Sequence, residues 1–346
     1  MTITRQQVVN ALKQVIFFAK KDNIVDLNMV QDISIKGKEI KVTVVFEKLD
    51  DPAVGIIYNS VVKTLKMELG DDITVDVKRV ADDTPGPLSG VKNIIAVISG
   101  KGGVGKSTVA ANLAISLAKS GNKVGILDAD VLGPSVPIMF NVEDGQPKVV
   151  ERKGKPVLIP LENYGIKILS IGFFVKPEQA LMWRGAMANN AFNQLMTDSD
   201  WGDLDFLVID MPPGTGDIQL TLAQSYNIRG AVLVTTPQKV ATADVRRAAM
   251  MYRQEKLTIP LLGIIENMSY FTPEDMPDKK YYIFGQGASD QLANELNIGI
   301  LGRIPIEAKL SETGDKGMPL SLVDGNAVTE VFAEIAQKLI AEVAKL

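Results

Sequence analysis

Apolar positions along the chain follow two periods. Val8, Leu12, Val15, Ile16 and Ala19 recur at helical spacing, which predicts a helix near the start. From Met29 to Phe46 the period drops to two. Ile33, Ile35, Ile40, Val42 and Val44 alternate with polar residues about Lys36-Gly37-Lys38, predicting two strands and a turn. A second helix is predicted over Pro52–Leu69 and a strand over Ile73–Val77. Ala81 to Gly90 then interrupts, because its prolines and glycines extend neither neighbouring element. Beyond it the pattern changes. Continuous apolar runs at 93–99, 123–127, 205–210, 230–236, 261–265 and 298–302 alternate with helical periodicities. That alternation predicts strands buried on both faces of a mostly parallel sheet. The expected class is α/β, with a small α+β domain (α-β-β-α-β) over residues 1–81, a linker over 82–90 and the parallel-sheet domain over 91–346.

Further along, strand-like runs at 148–160 and 166–171 either extend the sheet or form a hairpin over it. Helices are predicted from about Met187 to Met196, Ala241 to Glu255 and Ala327 to Lys345. The last presents Val328, Val331, Phe332, Ile335, Leu339, Ile340 and Val343 on one face. A membrane-surface helix needs a cationic polar face; here Glu330, Glu334 and Glu342 outnumber Lys338 and Lys345, so core packing is expected.

The chemistry concentrates after the strand at 93–99. Gly100-Lys101-Gly102-Gly103-Val104-Gly105-Lys106-Ser107 reads G-x-x-x-x-G-K-[ST], with Thr108 following inside a helical pattern. Strand, glycine loop and helix come in the order a phosphate loop requires. Its backbone N–H groups converge on phosphate oxygens, Lys106 reaches the terminal phosphates and Ser107 offers a hydroxyl to Mg²⁺. Three strand ends add polar groups at the edge where parallel sheets bind ligands. The strand at 123–127 ends in Asp128-Ala129-Asp130, although an aspartate there also serves as a helix cap. The strand at 205–210 ends in Asp210, before Met211-Pro212-Pro213-Gly214-Thr215-Gly216-Asp217; this is a Walker B pattern whose carboxylate holds Mg²⁺ through water. Asp217 is placed to cap the helix starting at Ile218. Asn267 follows the strand at 261–265, where an amide suits an adenine edge or simply forms a turn. ATP and Mg²⁺ are the expected ligands.

Composition sharpens this picture by what it lacks. The 346 residues contain no cysteine and no histidine, which removes thiolates, disulfides and imidazole bases or ligands from this chain. Metals held by its own side chains take oxygen donors, as Mg²⁺ does. A formal charge of −4 argues against general nucleic-acid binding. With no signal-peptide pattern and no apolar run of bilayer length, a cytoplasmic protein without membrane contact is expected.

Lys101 resembles the signature lysine of the deviant Walker A loop, K-G-G-x-G-K-[ST], of the family that includes MinD, ParA and the arsenite- and nitrogenase-type ATPases. A solvated loop lysine is the plainer reading. The resemblance implies that Lys101 crosses to the nucleotide of a partner in a homodimer, that Asp130 positions the attacking water, that Asp128 supports the Mg²⁺ shell and that Asn267 reads the base. Arg303-Ile304-Pro305 resembles the segment flanking the base. Met182-Trp183-Arg184-Gly185, Trp201 to Asp205, Met211 to Ile218, Gly133-Pro134-Ser135 and Ile283-Phe284-Gly285 are similar to the Mrp/ApbC branch, and the N-terminal order α-β-β-α-β resembles iron–sulfur assembly domains. This branch implies an ATPase carrying iron–sulfur clusters to apoproteins, with iron–sulfur assembly or apoprotein partners. Its C-x-x-C pair would fall between Phe271 and Ile283, where Thr272-Pro273-Glu274-Asp275-Met276-Pro277-Asp278-Lys279-Lys280 stands instead. Direct cysteine ligation by this chain is therefore ruled out. A nucleotide-switched regulator or scaffold, or ParA- or MinD-like partitioning, are the alternatives.

Overall fold

The computed structural model describes residues 3–18, 20–46, 50–81, 88–152, 154–175, 185–254 and 259–346. Ala19, most of the linker, Met182-Trp183-Arg184 and Glu255 lie outside them. The chain divides into two units, Met1–Pro85 and Gly86–Leu346.

In the first unit, α1 (Arg5–Leu12) opens with a capping box. Thr4 Oγ1 accepts the Gln7 N–H and the Gln7 side chain accepts the Thr4 N–H. The helix stops earlier than the apolar spacing predicts. Val15 and Ile24 close a turn through Ile24 N–H to Val15 carbonyl, and Ile16 joins β1 (Ile16–Phe17), paired with β2 (Asp22–Asn23). The β1–β2 pairing thus takes the backbone of residues 15–17 from the helix, and Asn23 Oδ1 fixes the turn that follows by accepting the N–H groups of Val25 and Asp26. β3 (Val30–Lys36) and β4 (Glu39–Phe46) form the expected hairpin. α2 (Pro52–Leu69) begins at Asp51, which accepts from Ala53 N–H, with Pro52 at a position needing no amide. It crosses over to β5 (Thr74–Ala81), parallel to β4, and buries Val54, Ile57, Val61 and Leu65 on the sheet.

The second unit is built on an eight-stranded sheet. In chain order its strands are β6 (Val91–Ser99), β7 (Val124–Asp128), β10 (Leu161–Asn163), β11 (Ile166–Ser170), β12 (Leu204–Asp210), β13 (Gly230–Thr235), β14 (Leu261–Glu266) and β15 (Ile300–Arg303). Their spatial order is β10-β11-β7-β12-β6-β13-β14-β15, parallel throughout except for β10 at one edge. Between β7 and β10, β8 (Lys148–Arg152) and β9 (Lys155–Ile159) form a separate hairpin. Of the ambiguous middle stretch, β11 extends the sheet, while β8 and β9 form a hairpin of their own.

Helices cover both faces. They are α3 (Lys106–Lys119), the short α4 (Val136–Met139), α5 (Gly185–Thr197), α6 (Asp217–Ser225), α7 (Lys239–Tyr252), α8 (Ala288–Leu296), α9 (Ala308–Asp315) and α10 (Ala327–Val343). α10 lies on α3 and buries Val328, Phe332, Ile335, Leu339 and Val343, so its apolar stripe belongs to the core. Gly302 in β15 meets Ile335 so closely that a Cβ there would overlap it. Asp217 differs from expectation: it is the first residue of α6, whose cap is Gly216 without a side-chain bond. Among the described residues, no helix is long and apolar enough to cross a membrane.

Candidate functional site

The polar residues converge because register aligns the carboxyl ends of adjacent strands. Ser170 of β11 pairs with Asp128 of β7, Asp128 with Asp210 of β12, and Asp210 with Val97 of β6. Ser170, Asp128 and Asp210 are fully buried in that row. β6 lies where the strand order turns, with β12 on one side and β13 on the other, so its exit loop opens at the crevice where such sheets bind ligands.

That exit loop is Gly100–Gly105. Gly103 and Gly105 have φ of 81° and 80°, in the left-handed region that glycine occupies without strain. Gly105 caps α3 without a side chain, leaving the helix amides free toward the loop. Two of its glycines are also dictated by neighbours. A Cβ on Gly100 would overlap the backbone of Asp244 and Val245 in α7, and one on Gly105 would strike the Asn267 amide. Gly102 and Gly103 are exposed, Val104 is buried, and Ser107 and Thr108 are half-buried. Lys101 is half-buried with no ion-pair partner among the described residues; its carbonyl accepts from Ser99 Oγ at 3.0 Å.

Lys106 and Asp210 form the central contact. Lys106 Nζ donates to Asp210 Oδ1 at 2.5 Å, with the lysine 6% exposed and the aspartate 0%. Lys106 also lies 3.3 Å from Ser107 Oγ. The other oxygen, Asp210 Oδ2, is buried and has no hydrogen-bond partner. Burial raises the pKa of Asp210, with the Lys106 charge the main opposing influence. An orphaned carboxylate oxygen beside a serine hydroxyl is a hard donor set. It fits Mg²⁺, which takes one or two protein oxygens and completes its shell with phosphate and water. Ser107 and Asp210 are the residues that would hold it.

Asp128 has both oxygens engaged by protein. Oδ1 accepts Asp130 N–H at 3.1 Å; Oδ2 accepts Val136 N–H at 3.2 Å and lies 3.2 Å from Ser170 Oγ. Burial, then the charge of Asp210, pushes its pKa up to about 7. Asp130 is half-buried, accepts Leu132 N–H, and faces a cavity of about 510 Å³ shared with Gly133, Pro212, Pro213 and Asp217. The phosphate loop, Asp130 and Asp210 thus share one edge of the sheet. Ser170 was not foreseen; the readable signal was a serine closing a buried apolar strand.

Asn267 is 3% exposed, and its Nδ2 donates to the Val104 carbonyl at 2.9 Å. It follows β14 and braces the phosphate loop from the far side. Next to it Glu266 accepts from Ser269 Oγ and pairs with Arg303 at 3.3 Å, while Arg303 also pairs with Asp290. The stretch that stands in place of the C-x-x-C pair is an exposed turn. Phe271 bridges Tyr281 and Ile306 at its base, and Lys280 sits 4.2 Å over the Tyr270 ring. Glu274, Asp275 and Asp278 are exposed on it. Among the described residues no three His, Cys, Asp or Glu side chains gather into a metal-holding group, and the chain has no thiolate or imidazole, so an iron–sulfur cluster does not fit.

Comparison with known proteins matches this architecture. The family described as NUBPL iron-transfer P-loop NTPase matches residues 90–340, and that described as iron-sulfur cluster assembly protein matches residues 5–77. An iron-sulfur cluster carrier protein of Synechocystis is 42% identical over 350 residues, covering 97% of this chain and 98% of the relative. Among solved structures, a nucleotide-binding protein of Archaeoglobus fulgidus in complex with ADP is 41% identical, with a TM-score of 0.57, covering 67% of this chain and 88% of its own. The cell division ATPase MinD of Pyrococcus furiosus, at 19% identity and a TM-score of 0.52, covers 72% of this chain and 98% of its own and shares the fold.

Proposed function

The chain belongs to the NUBPL iron-transfer P-loop NTPase family, with an iron–sulfur assembly domain at its N-terminal end, and from that premise we propose that it is an ATP-hydrolysing, nucleotide-dependent homodimer serving iron–sulfur assembly. The observation carrying this reading is the buried Lys106–Asp210 pair at the mouth of the glycine loop. It joins the lysine that would meet the terminal phosphates to the carboxylate that would meet Mg²⁺. When bound, Mg²⁺ supplies charge neutralisation on the phosphates. Lys106 then exchanges Asp210 for phosphate oxygens, the Gly102–Ser107 amides cradle the phosphates, and Asp130 orients the attacking water in a site without histidine. Asn267 holds the phosphate loop while its oxygen remains available toward the base. Lys101, half-buried and without an ion-pair partner among the described residues, reaches the partner's nucleotide.

The cluster is cargo here, and this chain offers it no soft ligand. We therefore assign any cluster handling to thiolates of partner or client proteins. The missing cysteines equally favour a second reading, a nucleotide-switched scaffold without cluster chemistry. Pull-down with ATP separates them: cluster scaffold proteins among the captured partners support the first. DNA and membrane partitioning is disfavoured by the acidic balance and by the burial of α10.

Hydrolysis and dimer formation are tested together. Lys101→Ala should bind ATP within a few-fold of the parent while losing most ATP-dependent dimerisation and turnover, read by light scattering and phosphate release. Equal dimerisation by variant and parent would remove Lys101 from the interface.

A further inference from the structure

A single side chain fastens both ends of the loop that carries Asp130. Asp128 takes the Asp130 amide on Oδ1 and the Val136 amide on Oδ2, so residues 130–136 close on one carboxylate. What holds the carboxylate is Ser170. The Ser170 hydroxyl accepts Gly172 N–H at 2.9 Å and lies 3.2 Å from Asp128 Oδ2. An amide can only donate, so the hydroxyl proton is left to point at the carboxylate. Ser170 is 0% exposed, so bulk water does not compete for its hydroxyl, and its strand is hydrogen-bonded to that of Asp128.

We propose that Ser170 is a positioning residue for ATP hydrolysis, its hydroxyl orienting Asp128 so that the loop presents Asp130 to the attacking water. The proposal rests on the reading of Asp130 as the water-orienting group. Ser170 touches neither nucleotide nor water; it acts through Asp128 and the two amides. Its loss should therefore leave ground-state nucleotide binding, which the glycine loop and Lys106 supply, and impair a step that needs the loop in register. The alternative is that Ser170 only fills space between β11 and its neighbours.

The test compares Ser170→Ala and Ser170→Thr in the full chain. Ser170→Ala is expected to lower kcat about 10-fold or more, the scale of one hydrogen bond to a charged group, with affinity for ADP within about two-fold. Ser170→Thr, which keeps the hydroxyl, is expected to recover most of the rate. Unchanged kcat in Ser170→Ala, an equal fall in affinity, or a threonine variant no faster than alanine would each overturn the assignment. A second arm does not depend on turnover. Hydrogen exchange at the Asp130 and Val136 amides should quicken about 10-fold in Ser170→Ala while β7 amides stay protected. Unaltered exchange there would overturn the proposal. A parent protein that does not hydrolyse ATP, with exchange altered as expected, would instead sink the ATPase reading and leave Ser170 as the loop's anchor.

Discussion

Replacing Lys106 by methionine keeps most of the side-chain volume and deletes the charge. The prediction is a large loss of stability before any nucleotide is added. Lys106 and Asp210 are 2.5 Å apart and sealed from solvent, so removing the lysine leaves a carboxylate at 0% exposure beside Asp128. Breaking a buried pair in this way costs about 3–5 kcal/mol. Each kcal/mol shifts the melting point of a domain of 150–250 residues by about 2–4 °C, so the larger unit should melt about 6–20 °C lower. Asp210 can escape part of the penalty by taking up a proton, since burial already raises its pKa. The sign follows. An acid whose pKa is raised in the native state loses stability as pH climbs from its unfolded value toward the native one, so the deficit should deepen from acid to neutral pH. Asp210→Asn in the same background removes the stranded charge and should recover most of the melting temperature, whereas nucleotide binding stays lost. Calorimetry of the nucleotide-free proteins near neutral pH measures this. A Lys106→Met melting point within about 2 °C of the parent would refute the idea that the pair organises the unliganded site.

Asp130→Asn keeps the side chain's size and removes its charge; it should bind ATP normally, hydrolyse it at least about 100-fold more slowly and accumulate the dimer, as loss of a positioned water-orienting group implies. Normal phosphate release would move that role elsewhere. Anaerobic reconstitution with iron and sulfide should leave no stoichiometric cluster after desalting while ATPase activity persists, and a Mössbauer signature of protein-held cluster would reverse that conclusion. For Asp128, burial and the Asp210 charge raise the pKa from 3.8 to about 7. The native state therefore holds a proton that the unfolded chain releases, and stability relative to Asp128→Asn should fall by about 3 kcal/mol as pH rises from about 4 to about 7. Urea melts across that range would show it, and parallel curves would contradict it.

Much of the larger unit was legible in one dimension. Its strands are buried on both faces, so their continuous apolar runs stand out, and in the phosphate loop Gly100, Gly103 and Gly105 answer a local demand for positive φ or a close neighbour. Short elements are harder to read in one dimension: α8 and α9 are brief and more polar than apolar, so their few apolar positions do not stand out, and α1 ends where the β1–β2 pairing recaptures the chain. By itself the sequence determined the α/β class, the order of strand, glycine loop and helix, the carboxylates at strand ends, and the exclusion of thiolate and imidazole chemistry. Only the tertiary structure decided what those polar groups do to one another. Lys106 and Asp210 are 104 positions apart and Ser170 and Asp128 are 42 apart. They meet because parallel pairing sets strand register, and register depends on the packing of whole strands between two layers of helices. No local pattern encodes it. Burial in that row then raises the pKa values of two carboxylates and leaves one oxygen of Asp210 unpartnered, properties that arise only once water has been excluded.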